Sequence, residues 1–116
     1  MRYSNTEKRS ITKTDSYYID MITENLDFII THMKGVSKAD LESDPVLQDS
    51  MMLRLVQISE NAKFLTDTFQ EAHPEIPWYD INGLRNRIVH DYGNVDLTIV
   101  YDTLTKDIPD IRKLLK

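Results

Sequence analysis

Apolar side chains recur at intervals of three and four along nearly the whole chain, and nowhere do they alternate with polar ones over a length that would make a strand. That spacing commits the chain to amphipathic helices. Gly and Pro, three and four residues among 116, are too few to interrupt them often, so they mark boundaries where they do occur. There is no internal repeat and no low-complexity segment.

The boundaries fall as follows. Residues 1–14 are polar, mixed in charge and aperiodic, and read as a flexible tail ahead of a single helical domain at 15–116. Thr14 or Asp15 caps a first helix at about 15–34, with Tyr18, Met21, Ile22, Leu26, Ile29 and Met33 on one stripe and Gly35 as its stop. Ser37-Lys38-Ala39-Asp40 has the form of a capping box and predicts a short turn of helix at 38–43. Asp44-Pro45 opens a long second helix, expected to run to 72 and to be ended by His73-Pro74. A third helix is expected from Trp78 to 91–92, stopped by Gly93. A fourth is expected at 96–115, kinked or split by Pro109. The fold class is therefore all-α: an up-and-down four-helix bundle with an additional short helix.

Composition narrows the setting. The chain has no cysteine, which rules out disulfides and zinc–thiolate sites and fits a reducing compartment. No signal-like segment or run of about 20 apolar residues is present, so the expectation is a cytoplasmic protein with no membrane partner. A formal charge of −5 argues against coating nucleic acid through bulk electrostatics, but leaves room for a local basic cleft.

One segment gathers chemistry: Arg85-Asn86-Arg87-Ile88-Val89-His90-Asp91-Tyr92. Five positions separate Arg85 from His90, about 140° around an ideal helix, so the two do not meet on one straight helix. Either the helix is distorted near Val89 or the site is shared across a dimer axis, where one chain's Arg85 approaches the other's His90. Metal-free RNA strand cleavage suits these groups. An imidazole, ordinarily titrating near pH ~6.5, moves protons for a 2′-hydroxyl attacking the adjacent phosphorus. A guanidinium fork stabilises the charge developing on the phosphate. Such a route needs no cofactor. Each residue also has a plainer reading: a solvated Arg85, a His90 that complements the helix dipole, a Tyr92 that merely packs. Glu60 lies beside the apolar stripe of the second helix and is either a surface carboxylate or a partner for Arg85 or Arg87. His32 and His73 lack a metal-ligand partner at i+4 and read as surface or capping residues, and Trp78 as a core anchor.

Ile76-Pro77-Trp78, Ile81-Asn82-Gly83-Leu84-Arg85-Asn86 and His90-Asp91-Tyr92, in that order and at these intervals, resemble the HepT family of the HEPN superfamily. Ile58-Ser59-Glu60-Asn61-Ala62 is similar to that family's I-G-E-A-A stretch, with Ser59 where the family has glycine. Asp20-Met21-Ile22, Gly35 and Val95-Asp96-Leu97 extend the likeness over about 15–115. The resemblance implies a helical bundle that homodimerises and acts as a metal-independent endoribonuclease toxin of a toxin–antitoxin pair. It implies roles for Arg85 as phosphate-binding arginine, His90 as acid/base and Asn86 as polar support. It also implies a minimal nucleotidyltransferase antitoxin of the MntA type, which silences the toxin by attaching AMP to Tyr92. There, added phosphate would compete for the arginine and repel RNA. The alternative is a non-catalytic helical dimer that only binds such a nucleotidyltransferase. A nucleotide-binding bundle is a third, disfavoured because the sequence has no phosphate loop.

Overall fold

The computed structural model describes residues 14–115, and the expected tail at 1–14 lies, apart from Thr14, outside them. The described residues form α1 (Asp15–Met33), α2 (Lys38–Glu42), α3 (Pro45–Ala62), α4 (Asp67–Ala72), α5 (Trp78–His90), a 3-10 turn (Tyr92–Asn94), α6 (Leu97–Asp102), a π-helical turn (Thr103–Asp107) and α7 (Ile108–Leu114). There is no strand among them. Among the described residues no helix is long and apolar enough to cross a membrane.

Four rods make the bundle. α1 and α3 form the central pair, α5 lies along α3, and the α6–π turn–α7 rod packs back on α1. The core takes Ile22, Leu26, Ile29 and Met33 from the predicted stripe of α1, and is completed by Met51, Met52, Leu55, Ile58 and Ala62 from α3, Leu84 and Ile88 from α5, and Val100, Leu104, Ile108 and Ile111 from the last rod. Burying such a side chain contributes about 1.5–3 kcal/mol, so the stripes decide which faces meet.

The local signals set most boundaries. Ser37 and Asp40 form the reciprocal capping box of α2, and Ser37's backbone N–H, with its hydroxyl, holds the Asp40 carboxyl below the usual carboxylate range. Asp44 accepts from the Leu47 N–H at 3.0 Å, and Asp96 accepts from the Thr98 N–H at 2.8 Å. Gly35 follows α1 at φ +75°, a conformation that a side chain would strain. The π turn ends two residues before Pro109, which has no N–H to give the Thr105 carbonyl and whose ring would crowd it. The wider turn lets the rod continue instead of breaking.

Two expectations need correction. The second helix does not reach 72: it stops at Ala62, turns through Lys63–Leu65, and restarts as α4. Apolar periodicity runs across the break, but hydrogen bonding does not. Thr66 caps α4 by accepting from the Phe69 N–H, Gln70 donates to the Ala62 carbonyl at 3.0 Å, and Leu65 drops into the core. The capping role considered for Thr14 or Asp15 is also absent at the start of α1. Thr14 occupies the cap position without a side-chain bond, and the Asp15 carboxylate instead receives the Thr66 N–H and hydroxyl, 51 residues away. Asp15 thus pins the start of α4 to the start of α1.

Candidate functional site at the α3–α5 seam

α3 and α5 run antiparallel along one seam, and each presents a stripe to its outer edge. On α3 the stripe is Asp49, Leu53, Val56 and Glu60, which lie within about 60° of one another on an ideal helix. On α5 it is Arg85 and Val89, continued by Tyr92 in the 3-10 turn. The antiparallel sense pairs their ends. Arg85 donates from Nε to Glu60 at 2.7 Å, while Tyr92 donates its hydroxyl to Asp49 at the other end. Leu53, Val89 and Tyr92 remain exposed between these ties, above a floor of Met52 and Ile88.

Arg85 is the most constrained cation of the segment. Its side chain is 20% exposed and is held at two points, by Glu60 and by the Asn86 carboxamide oxygen, which accepts from Nη1 at 2.9 Å. Glu60 is shared with Lys63 at a looser 3.9 Å. A guanidinium has five N–H groups in a fixed fork, and these two partners do not exhaust them. It is therefore an oriented cation with N–H groups still to give, its charge partly offset by a carboxylate.

His90 stands apart. α5 is a regular α-helix through His90, so the distortion considered near Val89 does not occur, and His90 ends the helix about 140° around from Arg85. It is exposed and makes no side-chain hydrogen bond or ion pair among the described residues. It shares its side of α5 with Asn86, one turn earlier. Within one chain, then, Arg85 and Glu60 meet and Asn86 braces them, whereas His90 is not brought to them.

Tyr92 points along the seam toward α3. Partial burial, then the hydrogen bond and the charge of Asp49, push its phenol up to about 12, so it is neutral across the physiological range. Asp49 is a residue that the sequence reading missed, although the 49–53–56–60 stripe would have flagged it as Glu60's counterpart on the same face. Lys63 was missed as well, because the expected unbroken helix hid the turn that sets it. His32 and His73 each bond the carbonyl four residues back and stack on Phe28 and Phe69, as capping residues do. Trp78 is half-buried against the core, with its indole N–H given to the His73 carbonyl at 3.1 Å.

Comparison with known proteins adds a family. The ribonuclease HepT-like model matches residues 22–116. A protein of Caldanaerobacter subterraneus subsp. tengcongensis named "Putative RNase" is 36% identical over 104 residues, 90% of this chain and 93% of that protein. A "Probable ribonuclease HepT" of Thermococcus cleftensis is 28% identical over 95 residues, 82% of this chain and 86% of its own. A second "Putative RNase", from Methanocaldococcus jannaschii, is 25% identical over 92 residues, 79% of this chain and 84% of its own. No solved structure matches the chain significantly.

Proposed function

The chain belongs to the ribonuclease HepT-like family, and from that premise we propose that it is an endoribonuclease whose working unit is a homodimer. The observation that carries this reading is the state of α5. Arg85 is oriented by Glu60 and Asn86, while His90 closes the same helix exposed and without a partner among the described residues. The exposed strip of Leu53, Val89 and Tyr92 beside them is a surface that a second copy would cover. A two-fold pairing through that strip carries one protomer's Arg85 toward the other's His90.

The chemistry is transesterification. The ribose 2′-oxygen attacks the adjacent phosphorus, the P–O5′ bond breaks, and a 2′,3′-cyclic phosphate and a 5′-hydroxyl result. Neutral His90 takes the 2′ proton or, as imidazolium, gives one to the departing O5′. Arg85 holds the phosphate and stabilises its added charge, and Glu60 and Asn86 keep the fork from swinging away. In this reading the reaction needs no metal and takes place in the cytoplasm. The protein is the toxin of a toxin–antitoxin pair, and an MntA-type nucleotidyltransferase silences it by adenylylating Tyr92. An adenylyl group there would cover the apolar strip with charge.

The decisive experiment uses mixed dimers. Arg85→Ala and His90→Ala proteins, each alone, should leave single-stranded RNA intact in excess chelator where the parent protein cuts it. Mixing and exchanging the two should restore cleavage, because one of the two shared sites then holds both residues. Restoration nowhere, with dimers present, would move the site into a single chain. A dimer that cuts no RNA at all but binds the nucleotidyltransferase would leave the docking-module reading, which the −5 charge favours.

A further inference from the structure

α5 packs along α3, and the last rod packs back on α1, but the backbones of α5 and the last rod do not come together in the same way. Between them lies a cavity of about 220 Å³, more enclosed than the recesses along the α3–α5 seam. Leu55 and Ile58 of α3 form its floor, and Leu84 of α5 and Ile111 of α7 its walls. Its size is below the ~300–1,000 Å³ of sites for drug-sized ligands and suits a single ring or a short chain.

The rim is charged, and with one sign. Asp80 lines the cavity from α5 and Asp107 from the end of the π turn. Thr103, at the start of that turn, is the other polar side chain of the lining, and its hydroxyl is already given to the Ile99 carbonyl at 2.9 Å. Neither carboxylate takes part in an ion pair or side-chain hydrogen bond among the described residues. Burial, and then the charges of Asp110, Asp102 and Asp80, hold the Asp107 carboxyl above the usual carboxylate range. Lys106 acts the other way, but it is paired with Asp102 at 3.6 Å. That the charge of Asp80 reaches Asp107 puts both carboxylates in one field at the cavity mouth. A partly desolvated carboxylate repelled by three others is stabilised by any cation brought to it.

We propose that this cavity binds a small organic ammonium ion, a protonated amine on an apolar body of one ring or a short chain. The body lies on Leu55, Ile58 and Ile111, where it exchanges water for apolar surface. The ammonium stays at the mouth and gives its N–H groups to Asp80 and Asp107. Each half of the ligand answers one half of the site, and the same rim repels anions. The inference does not rest on the ribonuclease reading, because it uses none of the residues given a role in RNA cleavage.

The test separates charge from body. Phenethylammonium and butylammonium carry both, methylammonium carries the charge alone, and phenethyl alcohol carries the body alone. Each is titrated calorimetrically into the full-length protein at matched ionic strength, with the thermal midpoint read in parallel. The expected result is saturable binding of at least one of the two larger amines, with a raised midpoint, and no binding of either control at the same concentration. Asp80→Asn and Asp107→Asn keep the side-chain shape and remove the charge. Each should weaken that binding about tenfold, and the two together should abolish it. Without ligand, neither single variant should melt below the parent, because each relieves repulsion. An equal response to the alcohol would make the cavity merely apolar, and an equal response to methylammonium would make the rim a counter-ion site; either overturns the proposal. Amine binding unaltered in both variants would place the ligand elsewhere and do the same. So would failure of both larger amines to bind. If both variants then also melted below the parent, the carboxylates would be shown to face a cation of the protein itself or of a second copy.

Discussion

Two arginines are locked into this bundle, at the two seams of α3, and they are locked by different chemistry. At the α1–α3 seam, Arg54 donates to Asn25 Oδ1 at 3.1 Å and lies over the Phe28 ring at 3.8 Å. Asn25 is itself buried and bonded back to the Met21 carbonyl at 2.9 Å. This is a neutral amide and an aromatic face closing around a cation. At the α3–α5 seam, Arg85 is held by a carboxylate and a carboxamide, beside exposed apolar side chains and a buried Asn82 oxygen without a partner. Both guanidiniums are oriented. Arg54 fills its seam and stabilises the fold, whereas Arg85 leaves its seam unfinished, and an unfinished seam can take a ligand or a partner.

The largest effect that separates them should come from Arg85→Ala. It should lower RNA cleavage by about 10²-fold or more, as loss of a preorganised charge-stabilising donor does, while the thermal midpoint moves little. A variant that melts much earlier and cuts normally once folded would reverse the assignment of the two seams. Next, Arg54→Ala should cost about 1–3 kcal/mol in chemical denaturation, since it strips a buried amide of its partner and a ring of its cation. Cleavage per folded molecule should be unchanged. The smallest effect concerns the far end of the open seam. Tyr92 is held protonated to about 12 in the fold, against 10.0 for the ordinary phenol. The stability it contributes is therefore complete below the ordinary value and is lost as pH rises from there through about 12. Asp49→Asn removes the carboxylate charge and should bring Tyr92's titration back toward its usual range. This can be read as the absorbance difference against Tyr92→Phe, and a midpoint unchanged by the substitution would show that Asp49 does not hold the phenol.

Much of this molecule was legible in the order of its residues. The four rods, the capping box at Ser37, the cap at Asp44 and the disturbance before Pro109 are local events, each encoded within a turn or two of where it occurs. The family resemblance was likewise carried by a compact segment, Ile76 to Tyr92. The break after Ala62 was not legible, because apolar spacing continues through it. What marks the break is a Gln70 side chain donating to the Ala62 carbonyl and, 51 residues from its own position, an Asp15 carboxylate that holds Thr66 at the start of α4. The site shows the same division. Arg85, Asn86 and His90 could be picked out as residue types on one helix, and Glu60 stood out as a carboxylate near the core. Asp49 as the acceptor for Tyr92, Lys63 beside Glu60, and the unpartnered Asn82 oxygen acquired meaning only once α3 lay against α5.

The sequence alone determined the helices, the break after Ala62 excepted, and the groups available for chemistry, because periodicity and capping act over distances shorter than a helical turn or two. Tertiary packing decided which carboxylate meets which cation, which phenol is held neutral, and which amide oxygen is left without a partner. Those depend on the register of α3 against α5, which is set by the interlocking of buried side chains far apart in the chain and is written in no single stretch of it.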